Sequence, residues 1–177
     1  MKDLCADFYH SDKDIAAYPV EWKTGHRPKS LRLSLPLMID GVVVEGFTLI
    51  GHTLVDLPHR NVAFLLNYKD PMGFDRGIHV AKAEWRPIKG HNNKGWGPEE
   101  FRLKEQTHSH CHCFDDNVGL GGDLWKNNKL PLALPIVPDP SSFEEFLEFV
   151  GKKFRISNVS LIGTPPWDPE WQPDLQL

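Results

Sequence analysis

Long apolar runs are missing from this sequence of 177 residues, because Gly, His, Asp or Pro interrupts each hydrophobic stretch. A helix that spans a membrane needs roughly 20 consecutive apolar residues. Residues 1–7 include two acidic side chains and lack the apolar core of a signal peptide. We therefore expect a soluble protein that is neither inserted into a membrane nor secreted.

Cysteine is scarce as well, with Cys5, Cys111 and Cys113 as the three examples. An odd count with two members two positions apart makes a poor disulfide framework and suits a reducing compartment. The net charge of -4 and the pI near 6.1 provide no overall attraction to nucleic acid or to an anionic membrane. We expect a cytoplasmic protein in which any contact with RNA is local.

Several catalytic signatures are also absent. The sequence has no Gly-x-Ser-x-Gly elbow, no Cys-x-x-Cys pair and no His-Glu-x-x-His helix. The glycine-rich residues 119–122 lack the lysine and the spacing of a phosphate-binding loop, which predicts a flexible connection instead. Candidate functional residues must therefore come from another pattern.

A sheet is predicted over residues 30–115, within a single domain that covers residues 1–177. Leucines alternate with other residues from position 31 to 37, which is the period of a half-buried strand. Asp40 and Gly41 form a hairpin signal after it. The predicted strands cover residues 31–37, 42–50, 61–68, 77–85 and a last segment from about 101 into the histidine segment described below.

A helix is predicted over residues 141–155, where the aromatic and aliphatic side chains share one face. A serine at 141 or 142 with a glutamate at 144 or 145 makes a capping box. Residues 1–28 show no periodicity and are predicted to form an irregular arm, whereas residues 160–177, with Trp171, are predicted to form an extended tail. The expected class is α+β, with an antiparallel meander of about five strands packed against one long C-terminal helix.

The segment of residues 107–113 concentrates histidine and cysteine. Side chains alternate faces along a strand, so His108, His110 and His112 share one face, and Cys111 and Cys113 share the other. Free cysteine is among the most buried residue types, which predicts that the cysteines face the core. The three imidazoles then form a polar stripe.

Three interpretations of this stripe are open. It could bind a divalent metal such as zinc through His108, His110 and His112, with Asp115 as an added carboxylate ligand. Without a metal, His110 and His112 could act as general base and general acid on a phosphodiester, with His108 and His91 beside them. The stripe could also be the solvent-exposed face of a strand.

A polar loop of residues 87–98 precedes the histidine segment and carries His91. Loops on a rigid sheet often bear binding residues, so this loop could return to the same site. Cationic and amide side chains nearby would stabilise the charge of a bound phosphate. The candidate substrate-binding residues are Asn92, Lys94, Arg102 and Lys104.

The last 90 or so residues carry a succession of short motifs. These are His91-Asn92, His110-Cys111-His112-Cys113-Phe114, Leu134-Pro135-Ile136, the segment 143–149 and Ile156-Ser157-Asn158. The succession resembles small uncharacterised bacterial proteins encoded near toxin–antitoxin and phage-defence genes, in which a histidine-rich strand precedes an apolar turn and a helix. The resemblance implies a nuclease-like or defence-linked role.

Two functional hypotheses follow from different classes. The first is a small phosphodiesterase or ribonuclease-like enzyme that acts on RNA or another phosphodiester through the histidine face. The second is a non-enzymatic, metal-stabilised binding module, such as a phage or plasmid inhibitor or an antitoxin, in which the histidines hold a structural metal or contact a protein partner. The acidic net charge favours the second hypothesis.

Overall fold

The computed structural model describes residues 1–27, 29–73, 77–120, 127 and 129–168 of the chain. The strands are β1 (Asp14–Ile15), β2 (Lys23–Thr24), β3 (Ser30–Ile39), β4 (Val42–Leu54), β5 (Val62–Tyr68), β6 (Ile78–Trp85), β7 (His91–Asn92), β8 (Glu105–Gln106), β9 (His110–His112) and β10 (Leu134–Pro135). The helices are α1 (Lys2–His10), α2 (Phe114–Val118) and α3 (Phe143–Phe154), and a 3-10 turn covers Val159–Leu161.

One antiparallel sheet of eight strands organises the described residues. Its order is β1, β3, β4, β5, β6, β9 and β10, and β2 also pairs with β3. Strands β7 and β8 form a separate antiparallel pair. Because β9 lies between β6 and β10, residues 110–112 of the histidine segment are part of the sheet and are paired on both sides.

One face of the sheet packs against α1 and α3. Trp85 of β6 stacks on Phe146 of α3 with ring centroids 6.0 Å apart, and Phe8 of α1 stacks on Phe47 of β4 at 3.7 Å. Burying an aromatic side chain of this size contributes roughly 1.5–3 kcal/mol. The alternate side chains of the same strands lie on the opposite face and are half-buried or exposed, so that face is open to a ligand.

The α+β class is confirmed, and strands β3 to β6 lie where alternation predicted strands. The prediction of about five strands against one long C-terminal helix is wrong in its counts, because the sheet has eight strands and α3 has 12 residues. Strands β1, β2 and β10 have two residues each. A two-residue strand is too short to show a period of two, so the sequence does not reveal it.

The N-terminal segment is not an irregular arm, since it contains α1, β1 and β2. Cys5, Phe8 and Tyr9 are buried and share one side of α1. An isolated helix of nine residues is marginal in water, and its helical pattern is correspondingly weak in the sequence. Contact with the sheet stabilises α1, which is tertiary information that local periodicity lacks.

The C-terminal segment has no regular structure after the 3-10 turn, as far as residue 168. Trp167 packs edge-on against Phe143 with ring centroids 5.7 Å apart. The predictions for Trp171 and for Gly121 and Gly122 fall outside the described residues. Within the described part of the chain, every helix is too short or too polar to cross a bilayer.

The N-terminus of α3 is capped as its sequence predicts. Ser142 Oγ accepts a hydrogen bond from the Glu145 backbone N–H at 3.2 Å, and Glu145 in turn accepts from Ser141. Replacing Ser142 by Ala should lower the free energy of unfolding by about 1 kcal/mol, because one amide of the first turn loses its partner. Urea denaturation of Ser142→Ala beside the exposed control Ser160→Ala measures this, and equal stability of the two variants would contradict it.

Candidate metal centre

Strands β6 and β9 bring an acidic residue opposite the histidines. Glu84 pairs in register with His110, and Lys82 pairs with His112. Residues directly opposite each other in an antiparallel pair project from the same face. All four side chains therefore lie on the open face of the sheet.

The cysteines of the same segment occupy the other face. Cys111 is 3% exposed and Cys113 is 5% exposed, and both belong to the hydrophobic core. The predicted separation of a histidine face from a cysteine face is thus confirmed for His110 and His112. A mixed site of histidine and cysteine ligands is excluded for these residues, since their side chains point to opposite faces.

Three potential ligand atoms converge at this position. Glu84 Oε2 lies 3.2 Å from His110 Nε2 and 3.5 Å from His112 Nε2. One ligand atom from each of the three residues lies within 4.8 Å of the other two. The two imidazoles are almost completely buried, with 1% and 4% of their side chains exposed, whereas Glu84 is 20% exposed. The cluster is therefore reached from the side of Glu84.

The tautomers of the two histidines follow from their backbone partners. His110 Nδ1 lies 2.8 Å from the His108 carbonyl oxygen, and His112 Nδ1 lies 2.7 Å from the Leu130 carbonyl oxygen. A carbonyl oxygen only accepts, so each Nδ1 carries the proton and donates. In the neutral imidazoles, each Nε2 then presents a lone pair toward the Glu84 carboxylate.

This arrangement leaves acceptors facing one another. His112 Nε2 is buried and has no hydrogen-bond partner among the described residues. A buried polar atom without a partner costs roughly 1–3 kcal/mol. A cation placed between the two nitrogen lone pairs and the carboxylate oxygen would satisfy all three atoms together.

The charge states also suit a cation. Burial lowers the pKa of His112 despite the nearby carboxylate, which favours the neutral, ligating form. Burial acts to raise the pKa of Glu84, but the adjacent imidazoles of His110 and His112, together with the Lys82 ammonium at 2.9 Å, outweigh burial and hold that pKa well below its usual range. Glu84 is therefore a carboxylate.

His91 adds a third imidazole at the edge of the cluster. Its Nε2 lies 2.8 Å from the Pro131 carbonyl oxygen and donates to it, which leaves the lone pair on Nδ1. Its ring centroid lies 4.5 Å from that of His112 and 5.8 Å from that of His110. The prediction that the loop of residues 87–98 returns to the histidine strand is thus confirmed for His91.

Two buried asparagines hold the segment of residues 130–133, whose carbonyls orient His112 and His91. The Asn117 amide exchanges two hydrogen bonds of 2.9 Å with the backbone of Leu132 and donates a third to the Cys113 carbonyl. The Asn93 amide exchanges two with the backbone of Ala133, at 2.8 and 3.0 Å. These bonds fix the position of the carbonyls that set both tautomers.

Two predicted metal ligands do not join the cluster. Strand β9 begins at His110, so the alternation does not extend to His108, whose side chain is 81% exposed and lies 3.5 Å from Asp139. Asp115 lies on α2, where it pairs with His10 at 3.0 Å. Glu84 takes the place that the sequence assigned to Asp115.

The predicted substrate-binding residues lie in and around the hairpin of β7 and β8. Asn92 Nδ2 donates to the Leu103 carbonyl at 3.3 Å, and Arg102 Nε donates to the Gly97 carbonyl at 2.6 Å. Lys94 and Lys104 are exposed. These hydrogen bonds stay within the hairpin, so a role of this group toward substrate remains a prediction.

Glu84, His110 and His112 together are able to hold a metal ion. Two imidazole nitrogens and one carboxylate oxygen are a common donor set for zinc and for other divalent first-row metals. Each imidazole donates its Nδ1–H to a backbone carbonyl, which is the usual support of a histidine that binds a metal through Nε2. No protein-family model, curated protein or solved structure matches the chain, and the assignment therefore rests on this geometry.

Proposed function

We propose that this protein binds a divalent metal ion, zinc in the first instance, through Glu84, His110 and His112, and that the centre hydrolyses a phosphodiester. The observation that supports the proposal is that two imidazole nitrogens and a carboxylate oxygen converge on one point. One of these atoms, His112 Nε2, is buried and has no hydrogen-bond partner among the described residues. Three protein ligands leave a coordination position open for water or substrate.

The bound ion would act as a Lewis acid and lower the pKa of a water molecule. Glu84, His110 and His112 hold their ligand atoms in place, and Lys82 presents a positive charge 2.9 Å from Glu84 toward the open face. In the reaction, the water oxygen forms a bond to phosphorus while a P–O ester bond breaks. One proton of the water passes to the leaving alkoxide, and the products are an alcohol and a phosphomonoester.

Removing Glu84 tests this proposal. The Glu84→Gln variant should bind less zinc and hydrolyse bis(p-nitrophenyl) phosphate at least about 100-fold more slowly, because a neutral amide replaces the only anionic ligand among the three. Elemental analysis gives the zinc content, and p-nitrophenolate release with and without EDTA gives the rate. Glu45→Gln removes an exposed carboxylate and should match the wild type. Hydrolysis that survives both EDTA and Glu84→Gln would refute the catalytic assignment.

The near-complete burial of His110 and His112 favours one second candidate, a metal-stabilised binding module. Structural metal sites are closed to solvent, whereas catalytic ones keep an open position. Zinc that raises the melting temperature without any hydrolysis would select this candidate. The resemblance implies a defence-linked role, which remains a prediction under either candidate function. The same is true of a protein or RNA partner.

A further inference from the structure

A cavity of about 670 Å³ lies on the open face of the sheet and reaches Glu84. Pockets for small organic ligands typically have volumes of roughly 300–1,000 Å³. Its floor is formed by half-buried side chains of β4 and β5, such as Ile50 and Leu65. Its basic and imidazole lining groups are His26, Arg27, Arg32, His52, His79 and Lys82.

The sheet register shows how this cavity relates to the metal centre. Arg32, His52, Ala63, Glu84 and His110 are directly opposite one another on five consecutive strands, so they form one row on the open face. Neighbouring strands are about 4.8 Å apart, which puts Arg32 roughly 14 Å from Glu84 along the row. Ala63 contributes only a methyl group, and the space above it joins the arginine end to Glu84.

The arginine end of the cavity is electrostatically positive. Arg27 and Arg32 are exposed and make no ion pair with any described residue. The pKa of His52 is lowered first by burial and then by the charges of Arg27, Arg32 and Lys82. Arg27, Arg32 and Lys82 line the same cavity as His52, and Glu84 is the one carboxylate among its described lining residues.

We propose that this cavity binds a small phosphodiester that also carries a terminal phosphate, with the terminal phosphate at Arg32 and the body of the molecule, including the phosphodiester, over Ala63 toward Glu84. This assignment names the substrate class of the metal centre and in that respect rests on the proposed function. A guanidinium donates two parallel hydrogen bonds to a phosphate, which suits Arg27 and Arg32. The volume fits a small molecule, and the net charge of -4 opposes the binding of a long polyanion.

Calorimetric titration of the full chain with adenosine 5′-monophosphate tests the cavity. Arg32→Gln removes the guanidinium and Ala63→Leu fills the floor without changing the charge. Arg32→Gln should weaken binding by about tenfold or more, because the charge-assisted hydrogen bonds to the phosphate are lost. Ala63→Leu should weaken binding by about as much, because the larger side chain fills the space above residue 63. Lys69→Gln, at the far end of β5, removes an exposed positive charge outside the cavity lining and should bind as the wild type does. Zinc content should be the same in all four proteins.

Three outcomes of these titrations would contradict the cavity assignment or the proposed function. Unchanged affinity in both Arg32→Gln and Ala63→Leu would overturn the cavity assignment, even if the protein binds zinc and hydrolyses phosphodiesters. The predicted pattern in a protein that binds no zinc would support the cavity and contradict the proposed function. Tighter binding of an RNA of about 20 nucleotides, with a steep salt dependence that Ala63→Leu leaves unchanged, would replace the small ligand by a polymer.

Discussion

The His112→Ala protein should lose stoichiometric zinc, with an affinity at least about 100-fold below that of the wild type. The substitution removes one of the three ligand atoms that lie within 4.8 Å of one another. In the wild type, zinc at 100 times its dissociation constant should add about 2.7 kcal/mol to the free energy of unfolding, whereas His112→Ala should gain almost nothing. Competition with a chromophoric chelator gives the affinity, and urea denaturation gives the stability.

His108→Ala is the matched control for this experiment. The two residues are four positions apart in one segment, but the His108 side chain is 81% exposed and only its backbone carbonyl contacts the cluster. Alanine keeps that carbonyl, so the zinc affinity should stay at the wild-type value. A loss of zinc in His108→Ala equal to that in His112→Ala would contradict the assignment of the ligands.

Asn117→Ala should weaken both the fold and the zinc site although Asn117 touches no ligand atom. Its buried amide makes three hydrogen bonds, to Cys113 and Leu132, and their loss should lower the free energy of unfolding by about 3 kcal/mol. The Leu130 carbonyl that orients His112 would then be less well fixed, and the zinc affinity should fall by about tenfold. Chelator competition at a temperature where the variant is folded measures the second effect.

Asn158→Ala separates the two effects of the Asn117 substitution. Asn158 exchanges hydrogen bonds of 2.7 and 3.1 Å with the backbone of Ile15, on another part of the sheet. Its removal should cost stability in a comparable way and leave the zinc affinity unchanged. If both variants lose zinc in proportion to their stability, Asn117 has a purely structural role.

The alternation of side chains along the sequence was sufficient to predict the long strands and part of the candidate metal site. The alternating leucines of residues 31–37 predicted β3, and the H-x-H spacing placed His110 and His112 on one face. Glu84 was missed because only the pairing of β6 with β9 brings it opposite His110, and that pairing is not encoded in either segment alone. The alternation of Lys82 and Glu84 in a predicted strand was the available signal, since it marks two charged residues on the open face.

The prediction for His108 is wrong for a different reason. The alternation of histidines begins at His108, but strand β9 begins only at His110. Ser109 is buried, and its hydroxyl oxygen accepts a hydrogen bond from the Arg86 backbone N–H at 3.2 Å, just before β9 begins. A period of two predicts faces only within a strand, and the beginning of a strand is the least certain part of such a prediction. Asp115 was misassigned in the same way, because α2 begins at Phe114 and redirects the chain.

The pairing of β9 on both sides has a consequence for how this sequence can vary. A one-residue insertion or deletion inside β9 would move Cys111 opposite Glu84 and turn the imidazoles into the core, so the segment should not change in length among related chains. The mostly exposed residues 94–104, which connect Asn93 to β8, have no such restriction and can vary in length. Relatives that retain the site should therefore be recognisable by a strand with an outward Glu followed, after a connection of variable length, by His-x-His.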